Sequence, residues 1–444
     1  MRKVQRMKRE TASAMSALAA SLFFAGVASS QDLPPEVLLL SRVKRHVREE
    51  LQNLPNISCL ETVRREFQPT NSRMRPLDTI RLEVLTNGEK ELFASPGDRK
   101  FSERHPIGYA GSGVLGNGLF GLYLKDILLN ASASDKYKGE EEIGGRRLAR
   151  FDYRLPAVWA GQVINLPEGS GRVGLRGSYW ADPQTFDVLR LEMNAYDIPL
   201  TLPITEAVTS IDYAPTDLGN NLVMLLPRSA DFLMGKLSGE VNHNRVEFTG
   251  CRVFQAQSTI DFAAPDSVQE PPRFGTSAVD DTLRPLPAGL RIAVKLRTRI
   301  TAAMTVGSLI EGVVDGSVRA NGAVVIASAS PVRGRIRRLE RYSDPSPHFV
   351  VGLEFTEVEL QGVRHRFYAS LVEMESAPGV EKTLAGRDQA EVRELWKGSN
   401  DVSHKVETLQ LPALPQAAVF FFRGATLNLP RGFRTVWQTL PAPQ

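Results

Sequence analysis

Arg333, Arg335 and Arg337 recur at period two in a run that also holds Arg338 and Arg341. At that spacing three guanidinium groups share one strand face while Val332, Gly334 and Ile336 take the other. Such a stripe has the charge to meet anionic lipid headgroups or phosphorylated glycans, and it also has the form of an ordinary solvated strand face. Gly111-x-Gly113-x-x-Gly116 matches the dinucleotide fingerprint letter for letter. That fingerprint works only between a parallel strand and a helix in a βαβ unit, and no such strand precedes it, so a loop capping the neighbouring sheet is expected instead. The six histidines, His46, His105, His243, His348, His365 and His404, show no paired-ligand spacing. No Gly-x-Ser-x-Gly elbow occurs. The acids Glu140 to Glu142 are adjacent in a strand-like run, where neighbours point to opposite faces. The sequence therefore names no catalytic, cofactor-binding or metal-ligating residue, and a non-enzyme without cofactor is expected.

The elements that would position these residues begin after a leader. Residues 1–10 hold five basic residues against Glu10, and residues 11–30 hold no charge, with Leu18, Leu22, Phe23 and Phe24 as the apolar centre. Ala28-Ser29-Ser30 supplies small residues for cleavage before Gln31. The alternative is a retained anchor, but the stretch is rich in Ala and Ser where a bilayer span needs about 20 strongly apolar residues. Removing residues 1–30 lowers Lys+Arg from 54 to 49 and Asp+Glu from 50 to 49. The mature chain is then neutral, which removes the case for nucleic acid as a partner.

Export bears on the only two cysteines, Cys59 and Cys251. A disulfide is favoured in an oxidising compartment, and closing so long a loop is worth about 4 to 5 kcal/mol in the chain-entropy model. Two buried thiols acting as small hydrophobes are the alternative.

Pro34 and Pro35 suit a helix start, and Val37, Leu40, Val43, Val47 and Leu51 follow at spacings of three and four. After Pro55 the period changes to two, with Ile57, Cys59, Val63 and Phe67 on one face. Asn87-Gly88 and Gly144-Gly145 mark hairpin turns, and Asp182-Pro183-Gln184-Thr185 turns a further hairpin between Val173–Trp180 and Leu189–Met193. Leu119–Leu129 reads as a short helix. Thr209–Tyr213, Leu222–Leu226 and Arg245–Ile260 read as three more strands. Residues 263–287 are proline-rich and aperiodic, a linker. Short evenly spaced strands follow from Leu290, interrupted by a polar insertion near residues 378–411, and Ala418–Leu429 reads as a closing hairpin with Trp437 packed at its end.

A helix leading into a strand and then into hairpins with a Tyr-Trp-x-Asp-Pro turn, here Tyr179–Pro183, resembles the half-barrel of periplasmic lipoprotein carriers of the Lol type and their sigma-factor-regulator relatives. The resemblance covers roughly residues 36–262. It implies a curved antiparallel sheet wrapped on a helix, whose concave face either holds acyl chains beneath the loop of residues 108–121 or is filled by the helix as core. The run Leu286-Pro-Ala-Gly, Ile292–Leu296, Val306-Gly307 and residues 324–334 resembles the barrel domain of TrbI-type type IV secretion proteins. That family's proline-and-glycine turn is blurred where this chain has Ala327–Pro331.

The expected fold is mainly β: an antiparallel half-barrel on one long helix over residues 31–262, a linker over 263–287, and a small β-barrel or sandwich over 288–440. The expected function is a non-enzymatic binding or scaffold protein of the bacterial cell envelope, periplasmic or secreted. The alternative is a carrier of lipid or lipoprotein acyl chains, and envelope protein or lipid are the partners either reading implies.

Overall fold

The computed structural model describes residues 33–86, 90–98, 101–102, 109, 115–166, 168–254, 284–343, 346–375, 378–383 and 417–441. The leader, most of the glycine fingerprint, most of the linker and most of the polar insertion lie outside the described residues. So do His105 and His404.

Helix α1 spans Pro35–Gln52 and buries Val43 and Val47. It ends where Asn53 donates from both its backbone N–H and its side-chain amide to Glu49 O. A second helix, α2, spans Leu122–Leu128 and buries Leu124, Ile127 and Leu128. Between and after these run twelve strands: β1 (Ile57–Gln68), β2 (Arg75–Thr86), β3 (Glu91–Ala94), β4 (Ser134–Ile143), β5 (Arg146–Leu155), β6 (Val163–Leu166), β7 (Gly169–Arg172), β8 (Gly174–Ala181), β9 (Val188–Tyr196), β10 (Ile204–Asp217), β11 (Val223–Lys236) and β12 (Val241–Val253). All but β6 and β7, which pair only with each other, form one ten-stranded sheet in the order β3-β2-β1-β12-β11-β10-β9-β8-β5-β4. The sheet is an open, curled half-barrel. Its first long strand, β1, lies beside its last, β12.

That adjacency carries the covalent link. Between the Ser58–Arg252 and Leu60–Thr249 pairs, Gly250 and Cys251 stand opposite the single residue Cys59, and Gly250 takes φ +59° to make the bulge. Cys59 and Cys251 are joined as a disulfide, with Cα atoms 4.1 Å apart. The concave face follows from the register. Cys59, Val63, Ile80, Leu82, Ile211, Leu191, Tyr179 and Phe151 are in phase across it, and they pack with Val43, Val47, Leu124 and Ile127 of the two helices.

The later strands are β13 (Arg284–Pro285), β14 (Arg291–Leu296), β15 (Ile300–Thr301), β16 (Leu309–Val314), β17 (Val318–Ala320), β18 (Ala323–Ile326), β19 (Pro331–Tyr342), β20 (His348–Leu360), β21 (Val363–Arg366), β22 (Ala369–Met374), β23 (Val380–Thr383), β24 (Ala418–Arg423), β25 (Asn428–Leu429) and β26 (Arg434–Thr439). A second sheet runs β13-β21-β20-β19-β16-β14-β26-β22, with β24 paired to β20 and β23. The closing hairpin expected over Ala418–Leu429 does not form. In β24 both faces are buried, Phe420 and Phe422 on one and Val419 and Phe421 on the other. It is therefore held between β20 and β23, while β25 pairs with β15. Trp437 sits within β26, in contact with Phe355 and Phe367.

The two sheets meet where β19 lies against β2. Val306 donates to Thr79 O and accepts from Arg81 N–H. Gly307 follows at φ +93°, where a Cβ would stand 2.7 Å from Arg81 O, so the contact needs glycine both for its dihedral and for the space. Most buried apolar residues of the two sheets join in one cluster from Val43 to Trp437, while Ile164, Val173, Leu202, Ile204, Ala207 and Met234 form a separate one.

Candidate functional site

The junction between the sheets is built from charge. Arg65 of β1 donates from Nε and Nη2 to both carboxylate oxygens of Asp78, at 2.7 and 2.6 Å. Glu340 of β19 lies 3.6 Å from Arg65 Nη2 and accepts from Arg338 Nη2 and the Tyr342 hydroxyl at 2.6 and 2.7 Å. Burial alone would lower the Arg65 pKa, but the charge and hydrogen bonds of Asp78, aided by Glu340, outweigh it and hold the guanidinium protonated. Two cations and two anions balance, and all four side chains are at most 1% exposed.

The arginine stripe belongs to this junction, which corrects the solvated-face expectation. Arg335 donates to Gly307 O at 2.8 Å and to Asp98, and its side chain is 7% exposed. Arg337 donates to Glu354 and to Ser95 Oγ. Only Arg333 is half-exposed, 3.7 Å from Glu359. A bulge at Arg337, between the Ile336–Leu353 and Arg338–Gly352 pairs, breaks the period-two alternation of β19, and groups of the first sheet and the turn after it cover Arg335 and Arg337. The three do not form one accessible anionic-contact surface. Other candidates stay apart as well. His46 pairs with Asp187 and His243 bridges Glu66 and Asp231 on the surface, while Glu141 accepts from Arg150 and the Trp180 indole. Among the described residues no three metal-ligating side chains come together, and no helix is long and apolar enough to cross a membrane.

The described concavity is not filled along its whole length. Helix α1 occupies part of it, where Lys44 reaches Asp135 of β4 and His46 reaches Asp187 ahead of β9, and α2 packs beside α1. Toward the ends of β9, β10 and β11 a cavity of about 90 Å³ remains, walled by Leu175, Met193, Ala207, Phe232 and Met234, with Asn117, Tyr123 and Gln162 at its polar side. A recess of about 20 Å³ shares Leu115, Gly116, Tyr123, Thr209 and Phe232 with it and adds Glu61, Asn244 and Val246. The segment 115–117, the described end of the glycine-rich run, thus forms part of the wall. The β6–β7 hairpin supplies Val163, Ile164 and Asn165 to the rim. At this end of the sheet Val158, Trp159, Leu200 and Leu237 are exposed.

Two acids face inward here. Glu91 accepts from Gly118 and Phe120 N–H and so pins the loop that closes the recess. Burial still pushes its carboxyl up, against those bonds. Glu61 is 4% exposed and has no hydrogen bond among the described residues. Burial first, and the Glu91 charge second, push its carboxyl up to about 8. It is therefore a neutral acid at pH 7. The Tyr123 and Tyr213 hydroxyls are pushed up by burial and by Glu91, Tyr123 hydrogen-bonding Gln162 and Tyr213 donating to Leu119 O at 3.2 Å.

Neither acid was a candidate from the sequence, yet a signal was present. Glu61 and Arg65 are in phase with Ile57, Cys59 and Val63 on the apolar face of β1, and a charge in phase with a core stripe must be paired, neutral or functional.

No family model and no curated protein matches the chain. Among solved structures, a lipoprotein-sorting protein domain of the outer membrane from Vibrio parahaemolyticus is similar at 9% identity and a TM-score of 0.27, over 51% of this chain and 96% of that one. A LolA superfamily protein from Nitrosomonas europaea is similar at 10% identity and 0.24, over 49% and 94%. ComB10 of the Com type IV secretion system of Helicobacter pylori is similar at 13% identity and 0.19, over 37% and 95%. The likeness is distant and does not establish a shared fold.

Proposed function

We propose that this chain is a non-enzymatic binding protein of the cell envelope, built of two β domains, whose first domain takes a short apolar ligand in the unfilled half of its concavity. The observation that carries the reading is the cavity of about 90 Å³ with Leu175, Met193, Phe232 and Met234 for walls. One water needs about 10–15 Å³ of such space, so the cavity suits a ligand or chain segment of roughly six to nine non-hydrogen atoms. The carrier reading is thereby limited to short chains while α1 and α2 stay in place. The neutral charge junction at Arg65, Asp78, Arg338 and Glu340 supports the scaffold half of the proposal, because its buried charges on the first and second sheets pair with one another.

The test is native mass spectrometry, with organic extraction, on the full chain purified from a periplasm without detergent. A stoichiometric adduct of an aliphatic compound supports the reading. A clean apo mass, with no heat-stability gain from hexanol, overturns it.

A further inference from the structure

Resting on the pocket reading, we propose that the ligand is a cation: a short aliphatic amine whose ammonium group pairs with the Glu61 carboxylate in the recess while its chain lies along Met193, Phe232 and Met234. The selection follows from what the recess lacks. None of the described residues lining the cavity or the recess is basic. Arg65, further along the same strand face, is committed to Asp78 and Glu340. The groups near Glu61 from the packed elements are Glu91 of β3, Tyr123 of α2 and the Asn244 amide of β12. Each is acidic or neutral.

A carboxyl with no partner among the described residues, in a recess lined by no described base, offers a fatty-acid carboxylate no cation to pair with and gives a neutral chain only a neutral hydrogen bond beyond apolar contact. An ammonium group gains a charge-assisted hydrogen bond in a site where water does not compete. The aromatic faces of Tyr123 and Phe232 further suit a cation. Empty, the recess avoids a buried charge because Glu61 holds a proton. On binding, the neutral Glu61 carboxyl and the incoming alkylammonium ion give a carboxylate–alkylammonium ion pair, and the carboxyl proton leaves to solvent. Affinity therefore rises about tenfold per pH unit up to about pH 8 and is flat above it until the amine itself deprotonates.

Titration calorimetry of the full chain with hexylamine, hexanol and hexanoate at pH 7, repeated in buffers of different ionisation enthalpy, tests this. Hexylammonium is expected to bind about tenfold tighter than hexanol at pH 7, since a hydrogen bond to a charged group is worth about 1.5 to 3 kcal/mol, or roughly 10- to 150-fold, less the roughly tenfold cost of deprotonating Glu61 one unit below its pKa. It should compete with hexanol for one site and release about one proton per ligand. Glu61→Gln is expected to remove the tenfold advantage and the proton while hexanol still binds. Equal binding of amine and alcohol, no proton release, or preference for hexanoate overturns the proposal and leaves the apolar pocket standing. If none of the three binds, the pocket reading itself fails. The proton count is read on the unaltered chain, so the test does not depend on how the variant folds.

Discussion

Replacing Glu61 with Gln should change how stability depends on pH. The carboxyl is pushed from its ordinary 4.5 to about 8 by burial and the Glu91 charge. The folded chain thus binds this proton more tightly than the unfolded chain. The stabilising contribution is fully present below pH 4.5 and is lost as pH rises toward 8, where the folded state must ionise a buried acid or unfold. At 1.36 kcal/mol per pH unit the loss across that window is about 5 kcal/mol, an upper figure if water enters the recess. Glu61→Gln carries no such term, so the difference between variant and unaltered chain isolates it from every other titrating group. Chemical denaturation followed by tryptophan emission at pH 4.5, 6, 7.5 and 9 should show the two chains diverging in favour of Gln as pH rises, with no further divergence above pH 8. If the difference stays constant to within about 1 kcal/mol over the series, the recess is wet or Glu61 has a partner, and the burial argument is wrong.

Asp78→Asn removes the bidentate carboxylate partner of the buried Arg65, leaving Glu340 shared with Arg338, and should cost about 3 to 5 kcal/mol in the same assay, most of it recovered in the double variant Arg65→Met with Asp78→Leu. A loss under 1 kcal/mol would show that the junction admits solvent. Gly307→Ala forces a side chain at φ +93° toward Arg81 O and should cost more than about 1 kcal/mol, seen as a lower melting temperature. Replacing Cys59 and Cys251 by Ala should lower stability by about 2 to 5 kcal/mol, and thiol titration of the unaltered chain in denaturant without reductant should find no free thiol. Arg333→Gln, at a half-exposed ion pair, should stay within about 0.5 kcal/mol. Arg337→Gln strips Glu354 of its cation and should cost about 3 kcal/mol or more, as measured by urea unfolding.

Local structure was legible where one period held over a whole element. The spacing of Val43 and Val47 gave α1, the alternation through Ile57, Cys59 and Val63 gave β1, and the glycine pair at 144 and 145 turns β4 into β5 with both residues at positive φ. The mainly β class followed from these alternations, and the half-barrel from what the resemblance to Lol-type carriers implied. What stayed hidden was pairing between distant segments. Alternation in Ala418–Phe422 says strand but does not say that both faces are covered, so the partner of β24 could not be read locally. The arginine stripe failed for a related reason: a bulge at Arg337 breaks its phase, and the groups that cover it, Asp98 and Ser95, are more than 230 residues away in sequence. The site was the least legible part. Its marker was one carboxyl in register with an apolar stripe, and only the folded structure shows that no base among the described residues lines its recess.

The bond between Cys59 and Cys251 has a mechanical meaning. It ties the strand by which the chain enters the first sheet to the strand by which it leaves, 192 positions later. Tension applied along the polypeptide from either side crosses at that bond and never loads β2 to β11 in series. A pull that strips the second sheet away therefore lengthens the chain only outside the bridge, and the enclosed segment, about 690 Å if fully extended, stays wound with its pocket intact until a reductant opens the link.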